Sequence, residues 1–435
     1  MNEFNSLRHA AGAGDADLVR ELIQQGAPIG EMDNAPLRWA LRHKRADIVA
    51  LLLAAGTEIS ANAAEFLSLA AKNGDGDSLK LVLQSMKLPI LPNALDLAFY
   101  DAINARHLEA VELLIAAGAD PKADDNKPVQ LASSVGSAEI LEILQFHGAD
   151  LCVLESQPLF NAVMAEDVTC VKLLLSAGAD ANARLGISLV LAISNGDTEI
   201  VELLLWAGGK LATPDLVVNC ADSDSVETLL VLAEAGYAYQ PYADELVKSA
   251  AGDSSFKILK FILENATVSQ LGLNAALCSA ASKSSEPVLD LLIQHGADAG
   301  ADQSAALKTA IEARQFGHVR KLLAANAHIP DLKAQAVFRV IDAGDWPLLV
   351  TLLQGGVSVA GLNLSEGQAV EMFHHVTPPN MLRDSVGTAL ARTIRDERQK
   401  FVRVSAQIAA LSISEQKTAI AVWLTQFLME LNSAA

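Results

Sequence analysis

The chain is poor in aromatic residues and in cysteine. Only 5% of its 435 residues are aromatic, although 51% are apolar. Its four cysteines, Cys152, Cys170, Cys220 and Cys278, lie far apart and form no CxxC pair. This pattern argues against a disulfide framework and predicts buried free thiols in a reducing compartment. The apolar content suffices for a continuous core and excludes a globally disordered chain.

Long apolar segments are also missing. No stretch reaches the roughly 18 uncharged apolar residues that a membrane span needs. The N-terminal residues lack the basic region and the apolar core of a secretory signal. We therefore expect a cytoplasmic protein without membrane insertion, and secretion by another route stays open.

Basic residues are scarce beside acidic ones. The 32 Lys and Arg residues against 52 Asp and Glu residues give a net charge of −20. Residues 363–435 hold seven residues of each sign, so residues 1–362 carry the whole net charge. An acidic surface repels phosphate backbones, which argues against direct nucleic-acid binding and adhesion to anionic membranes. It would instead steer a basic protein partner, with an association that weakens as salt rises.

One phrase recurs along the chain, for example as VELLIAAGAD at 111–120 and VELLLWAGG at 201–209. The residues that close it, at steps of 28 to 32, are Gly26, Gly56, Met86, Gly118, Gly148, Gly178, Gly208, Gly236, Ala266, Gly296, Asn326 and Gly356. Gly and Asn tolerate the left-handed conformation that a helix C-terminus needs. Met86 and Ala266 therefore predict two helices that end differently.

A small residue, here named the anchor, stands sixteen residues before each closing residue. The anchors are Ala10, Ala40, Ala70, Ala102, Ala132, Ala162, Ala192, Cys220, Ala250, Ala280, Ala310 and Val340. Nine residues later stands Val or Leu, and three further on another apolar residue, which places both on one helical face. Gly-Asp pairs such as Gly14-Asp15, Gly74-Asp75 and Gly196-Asp197 predict a helix end followed by an Asp cap. The pattern thus predicts that each repeat consists of a helix, a tight turn, a longer second helix and a short connector.

These units resemble ankyrin repeats. The TPLHxA opening of that family is matched by APLRWA at 35–40 and QPLFNA at 157–162, and more loosely by KPVQLA at 127–132. The second half of the repeat is matched by GDTEIVELLLWAGG at 196–209. The resemblance covers about residues 5–361 and implies an all-α solenoid of twelve stacked helix-turn-helix units. Because the period is 30 rather than about 33 residues, we expect the β-hairpins between units to be shortened to loops.

The period stops after residue 362, which predicts a repeat array over 1–362 and a helical segment over 363–435. A last helix from Ser414 to about Leu431 would carry an apolar face, including Trp423 and Phe427. Such a face suits a cap over the end of the array. A partner-binding or oligomerisation helix is the alternative.

No catalytic or metal-binding motif is recognisable. The sequence has no P-loop, HExxH, GxSxG or EF-hand pattern. The pair His374-His375 lacks a third ligand at metal spacing. We therefore expect no enzyme, no cofactor and no bound metal.

The family resemblance implies that partners bind the residues two and three after each anchor, together with the loop tips. In this sequence those are Arg42, His43, Lys72, Asn73, Asn104, Ser194, Asn195, Asp222, Ser223, Glu312 and Asp342. Within the acidic array, Arg38, Arg42, Lys44 and Arg45 form a basic cluster that would suit a carboxylate or phosphate partner. The alternative is that these charges only offset neighbouring acids.

Aromatic residues give two further expectations. Tyr237, Tyr239 and Tyr242 fall in one connector, where they would serve as an interface anchor or, alternatively, fill the gap left by an irregular repeat. Trp39, beside its anchor, is expected in the core. Trp206, near the end of a second helix, is expected to be exposed on the convex side.

The leading hypothesis is a non-catalytic scaffold that binds a protein partner on its curved repeat surface, as a bacterial or phage inhibitor, immunity protein or adaptor would. An acidic DNA mimic that inhibits a nucleic-acid-binding protein is one alternative. A host-directed effector, or an enzyme with an unrecognised C-terminal site, is the other.

Overall fold

A computed structural model describes residues 3–328, apart from 60–61, 87–91, 254 and 284–285, and a few single positions between 339 and 352. The closing residue Gly356 and the predicted cap over 363–435 lie outside the described residues. The chain divides into two compact units, Met1–Leu216 (unit 1) and Val217–Ala435 (unit 2).

Unit 1 consists of seven helix pairs. The first helices are α1 (Glu3–Ala13), α3 (Glu31–Arg42), α5 (Ala63–Asn73), α7 (Pro92–Asn104), α9 (Ala123–Ser134), α11 (Val153–Met164) and α13 (Ala183–Asn195). The second helices are α2 (Ala16–Gln24), α4 (Ala46–Ala54), α6 (Gly76–Ser85), α8 (Leu108–Ala116), α10 (Ala138–Phe146), α12 (Val168–Ser176) and α14 (Thr198–Trp206). First helices pack on first helices of the next pair, and second helices on second helices.

Unit 2 repeats the alternation with one irregular start. A 3₁₀ helix (Pro214–Asn219) leads into the short α15 (Cys220–Ser223), and a second 3₁₀ helix (Gln240–Tyr242) precedes α17. The remaining helices are α16 (Val226–Glu234), α17 (Ala243–Asp253), α18 (Phe256–Asn265), α19 (Gln270–Ala281), α20 (Glu286–Gln294), α21 (Ala301–Glu312) and α22 (Phe316–Ala324). No strand occurs in the part of the chain that is described, so loops connect the repeats there, as expected from the short period.

The expectation of a longer second helix is wrong for several repeats. The second helices have nine or ten residues, whereas the first helices α5 and α19 have eleven and twelve. Other first segments begin with three consecutive residues of positive φ, as at 154–156 and 184–186, and their right-handed helix starts only after this left-handed turn. In α13 that helix covers residues 187–195, the same length as α14.

The core follows the repeat rule. All the anchors from Ala10 to Val340 are buried, as are the Val or Leu residues nine positions later from Val19 to Val319. A small anchor lets neighbouring helices approach closely, and each buried Val or Leu contributes about 1.5–3 kcal/mol relative to an exposed one. The next apolar position is buried from Leu52 onward, whereas Leu22 is half-buried.

Helix ends follow the closing residues. The closing glycines in the described residues have φ between 83° and 104°, and Asn326 has φ 68°. Met86 and Ala266 are instead extended, with φ −74° and −129°, which confirms that these two helices end differently.

The predicted Asp caps form in some repeats and not in others. The carboxylates of Asp15 and Asp75 accept hydrogen bonds from the backbone N–H groups of Leu18 (3.0 Å) and Ser78 (3.1 Å). Asp197 makes no such cap, which contradicts the prediction for this residue. Its Oδ2 is buried and has no hydrogen-bond partner among the described residues. Burial, and then the nearby Glu166 carboxylate, raise the pKa of Asp197 above its ordinary value.

Candidate partner-binding surfaces

The helix pairs give unit 1 two different edges. The turn side carries the tight turns between the first and second helix of each pair. The connector side carries the connectors, so the second helices end there and the next first helices begin there. The predicted basic cluster lies at the end of α3 and therefore on the turn side.

Two members of the basic cluster hold neighbouring repeats together. Arg38 on α3 forms a two-point ion pair with Glu65 on α5, with Nη2 2.9 Å from Oε2. The Glu65 hydrogen bond raises the pKa of Arg38, and the same bond lowers the pKa of Glu65. Arg45 donates from Nη2 to the Gly14 carbonyl at 2.7 Å. Arg38 thus pairs with an acid of the next repeat, whereas Arg45 bonds a backbone carbonyl of the preceding one.

The rest of the cluster faces solvent. Arg42, His43 and Lys44 are exposed, and Lys44 has a left-handed backbone with φ 56°. The His43 ring stacks on Trp39 with centroids 5.3 Å apart. Trp39 is 38% exposed rather than in the core, and its ring lies over Gly12 of α1. The structure thus places a stacked aromatic pair beside two exposed cations.

The other candidate partner-binding residues are also partly exposed and partly engaged within the fold. Lys72 and Asn104 are exposed. Asn73 donates from Nδ2 to the Leu41 carbonyl at 3.0 Å, so its amide links α5 to α3. Among the positions implied by the resemblance, Ser194 and Ser223 are half-buried, Asn195, Asp222 and Glu312 are exposed, and Asp342 lies outside the described residues.

The tyrosine connector does not form an exposed anchor as a whole. Tyr239 is only 9% exposed and packs against Phe261 of α18, with ring centroids 5.8 Å apart. Tyr237 and Tyr242 are half-buried. Tyr239 therefore fills the space beside the irregular repeat, as the alternative proposed, and cannot itself serve as an interface anchor.

Among the described residues, the most exposed aromatic side chains lie on the connector side of unit 1. Phe146 and Trp206 are 86% and 89% exposed, and each is the last residue of its second helix. Trp206 was expected to be exposed, whereas Phe146 was missed. The signal was available, because the residues two before the other closing positions are small or polar: Gln24, Ala54, Gln84, Ala116, Ser176, Glu234, Glu264, Gln294, Ala324 and Gln354.

Sequence reasoning also missed a hydrogen bond between successive connectors. The residue six before the anchor, here named the linking position, bonds the backbone 24 residues later. Such bonds run from the backbone N–H of Asp180 to Ser156 Oγ (2.9 Å), of Asp298 to Asn274 Oδ1 (2.9 Å) and of His328 to Ser304 Oγ (2.7 Å). Asp96 occupies the linking position of its repeat. Burial, then the nearby Asp124 and Asp120, raise the pKa of Asp96 above its ordinary value.

The cysteines are all free, but only two are buried. Burial raises the pKa of Cys170 and of Cys220 to about 12. Cys152 and Cys278 are half-buried, which corrects the expectation of four buried thiols. Within the described residues, no group of three His, Cys, Asp or Glu side chains is arranged to hold a metal ion. Nor is any described helix long and apolar enough to cross a membrane.

Comparisons with known proteins give structural likeness only. No family model and no curated protein matches the sequence. Among solved structures, the chain is similar to the ankyrin repeat domain of Bcl-3, a member of the IkappaB protein family, at 24% identity and a TM-score of 0.37, covering 46% of this chain and 97% of that one. It is also similar to the human ASB11 ankyrin repeat domain, at 20% identity and a TM-score of 0.39, covering 53% and 96%. The helix pairs, their 30-residue period and their buried anchors define an all-α array of ankyrin-like repeats.

Proposed function

We propose that the chain is a non-catalytic scaffold that binds a protein partner on the turn side of unit 1. The observation that carries this proposal is the contrast between constant and variable positions. The anchors are uniformly small and buried, whereas the residues two positions later differ from repeat to repeat: Arg42, Lys72, Asn104, Ser134, Met164 and Ser194. A rigid array of stacked repeats offers such side chains preformed, with little entropy lost on binding.

The local chemistry favours carboxylates at the contact. Arg42, Lys44 and Lys72 are exposed, and the Trp39–His43 stack adds a flat apolar surface beside them. Arg binds carboxylates through paired hydrogen bonds, and Lys adds a point charge. A net-basic protein with an acidic contact segment would satisfy both this cluster and the net charge of −20.

The proposal is tested by affinity capture with the full chain. A turn-side variant carries Arg42→Glu, Lys44→Glu and Lys72→Glu. The matched control carries Lys248→Glu, Lys257→Glu and Lys260→Glu, three exposed lysines of unit 2. We expect the wild type to capture one protein partner in stoichiometric amount, also after nuclease treatment. The turn-side variant should lose this partner, and the control variant should retain it. Equal capture by both variants, or capture that depends on nucleic acid, would contradict the proposal.

The finer roles rest on this surface. An inhibitor, an immunity protein, an adaptor or a host-directed effector would each bind through it. The DNA-mimic alternative fits less well, because many aspartates bind their own backbone rather than standing free as a phosphate-like track. Among the described residues, those with such bonds to the backbone two or three residues later are Asp15, Asp75, Asp120, Asp150, Asp167, Asp180, Asp298 and Asp345. The C-terminal enzyme alternative concerns residues outside the described part of the chain.

A further inference from the structure

Three successive second helices of unit 1 end at equivalent positions on the connector side. α10 ends at Phe146, α12 at Ser176 and α14 at Trp206. All three side chains are exposed, so two aromatic residues flank a small one. The Ser176 hydroxyl donates to the Leu173 carbonyl at 2.7 Å and therefore lies back on its own helix.

The spacing of the three helices sets the width of this surface. α10 packs against α12, and α12 packs against α14. Helices in contact lie about 8–10 Å apart, so the backbones at Phe146 and Trp206 are separated by roughly 16–20 Å. The small Ser176 lies between these two aromatic residues, and we name the surface formed by the three helix ends the aromatic groove.

Two glutamates stand beside the aromatic groove. Glu142 and Glu202 stand four residues before Phe146 and Trp206, one helical turn away on the same exposed face. Neither glutamate forms an ion pair within the described residues. The equivalent residue of the middle helix, Lys172, pairs with Glu199 at 2.7 Å, so its charge is offset.

A further exposed apolar residue lies in the adjoining connector. Leu185 is 82% exposed on the connector side of α13. It precedes Gly186, where an added Cβ would lie 2.6 Å from the Lys210 carbonyl, so this turn rests against the connector that follows Trp206. Large apolar side chains that stay exposed at neighbouring positions are typical of an interaction site.

We propose that the aromatic groove binds a basic amphipathic α-helix of a partner protein. A helix with its side chains is about 10–12 Å wide and fits between residues roughly 16–20 Å apart, so it can touch both rings. The apolar stripe of the helix covers Phe146 and Trp206, and its Lys or Arg residues reach Glu142 and Glu202. This site lies on the edge opposite the turn-side surface and does not depend on it.

The test uses the full chain and a labelled peptide of about 18 residues, built of Leu and Lys with one apolar helical stripe, which spans about 27 Å. A second peptide has the same composition with the leucines scattered. Fluorescence anisotropy gives the Kd of each peptide for the wild type and its variants. We expect the amphipathic peptide to bind more tightly than the scattered one by about tenfold or more.

The variants address the rings and the charges separately. Phe146→Ser with Trp206→Ser should weaken binding by about tenfold or more, whereas Trp206→Phe retains it. Glu142→Gln with Glu202→Gln should weaken binding by about threefold and reduce its salt dependence. Leu271→Ser, at an exposed leucine of unit 2, and Glu227→Gln with Glu234→Gln are the matched controls and should leave the Kd unchanged.

Three results would each overturn the proposal. The first is equal affinity for the two peptides, which would mean attraction by net charge alone. The second is a Kd within about twofold of wild type for the double serine variant. The third is no binding up to about 0.1 mM peptide. The turn-side variant Arg42→Glu, Lys44→Glu and Lys72→Glu should not weaken peptide binding. The proposal for the aromatic groove is therefore tested independently of the proposal for the turn-side surface.

Discussion

The Arg38 guanidinium and the Glu65 carboxylate join two successive first helices through a two-point ion pair, with Nη2 2.9 Å from Oε2. Glu65→Gln should lower the free energy of unfolding by about 0.5–1 kcal/mol, because both side chains are partly exposed to water. Urea unfolding measures the difference. Lys80 of α6 pairs with Glu109 of α8 and supplies the control Lys80→Gln, for which we expect a smaller loss of stability.

The pH dependence of that pair has a definite sign. The Arg38 hydrogen bond lowers the pKa of Glu65, so the folded protein holds its proton less tightly than the unfolded chain does. The stabilisation is therefore complete above the ordinary Glu pKa and is lost as the pH falls through the lowered pKa. The stability gap between wild type and Glu65→Gln should close in acid. A gap that widens in acid would contradict this assignment.

Asp197→Asn should stabilise the protein at neutral pH by about 1 kcal/mol, because Asp197 Oδ2 is buried without a partner near Glu166. Its pKa is raised, so the destabilisation is absent below the ordinary Asp pKa and complete above the raised one. Thermal unfolding at neutral and acidic pH compares the two. The matched change Asp75→Asn should destabilise, since both Asp75 oxygens accept hydrogen bonds from Ser78.

Asp96→Asn should also raise the free energy of unfolding, by about 0.5–1.5 kcal/mol. Asp96 occupies the linking position near Asp120 and Asp124, where Asn274 and Ser304 of other repeats accept a backbone N–H. Asn carries no charge and can accept a backbone N–H as Asn274 does. Asn274→Ala removes such an acceptor and should lower the free energy of unfolding. Chemical denaturation of the two variants measures both changes.

Gly186→Ala should destabilise more than Gly178→Ala. Both glycines have positive φ, 72° and 100°, so each substitution costs about 1–2 kcal/mol for the left-handed backbone. Only at Gly186 would the new Cβ meet a backbone atom, the Lys210 carbonyl at 2.6 Å. Equal losses of stability in urea would mean that the turn can move away from this connector.

The thiols of Cys170 and Cys220 should resist alkylation in the folded protein. Burial raises the pKa of each to about 12, so almost no thiolate is present at pH 8. Cys152 and Cys278 are half-buried and should react faster. Mass spectrometry after timed iodoacetamide treatment checks this order, with urea-unfolded protein as the control in which all four react.

The repeated positions were predictable because the same steric requirement acts in every unit. A small anchor such as Ala132 and a Val or Leu nine residues later satisfy helix packing wherever they occur. The left-handed closing residues follow equally directly, since only Gly and Asn enter that region at low cost. Even the exceptions at Met86 and Ala266 were visible, because neither residue suits it.

The candidate site was less predictable because its residues depend on neighbours from other repeats. The sequence alone does not distinguish Arg38, which pairs with Glu65, from Arg42, which faces solvent. Nor do they show that Trp39 lies over Gly12 or that Tyr239 packs on Phe261. In each case the partner lies between about 22 and 27 residues away in sequence, and only stacking of repeats brings the pair together.

The sequence by itself thus determined the repeat, its period, its buried face and the ends of its helices, since local geometry and apolar burial dictate these at every recurrence. Tertiary structure alone decided which charged and aromatic side chains remain available to a partner. It buried Tyr239, engaged Arg38 and Arg45, and left Phe146 and Trp206 on either side of Ser176. The physical reason is that exposure and pairing belong to the contacts between repeats, whereas helix formation belongs to each repeat.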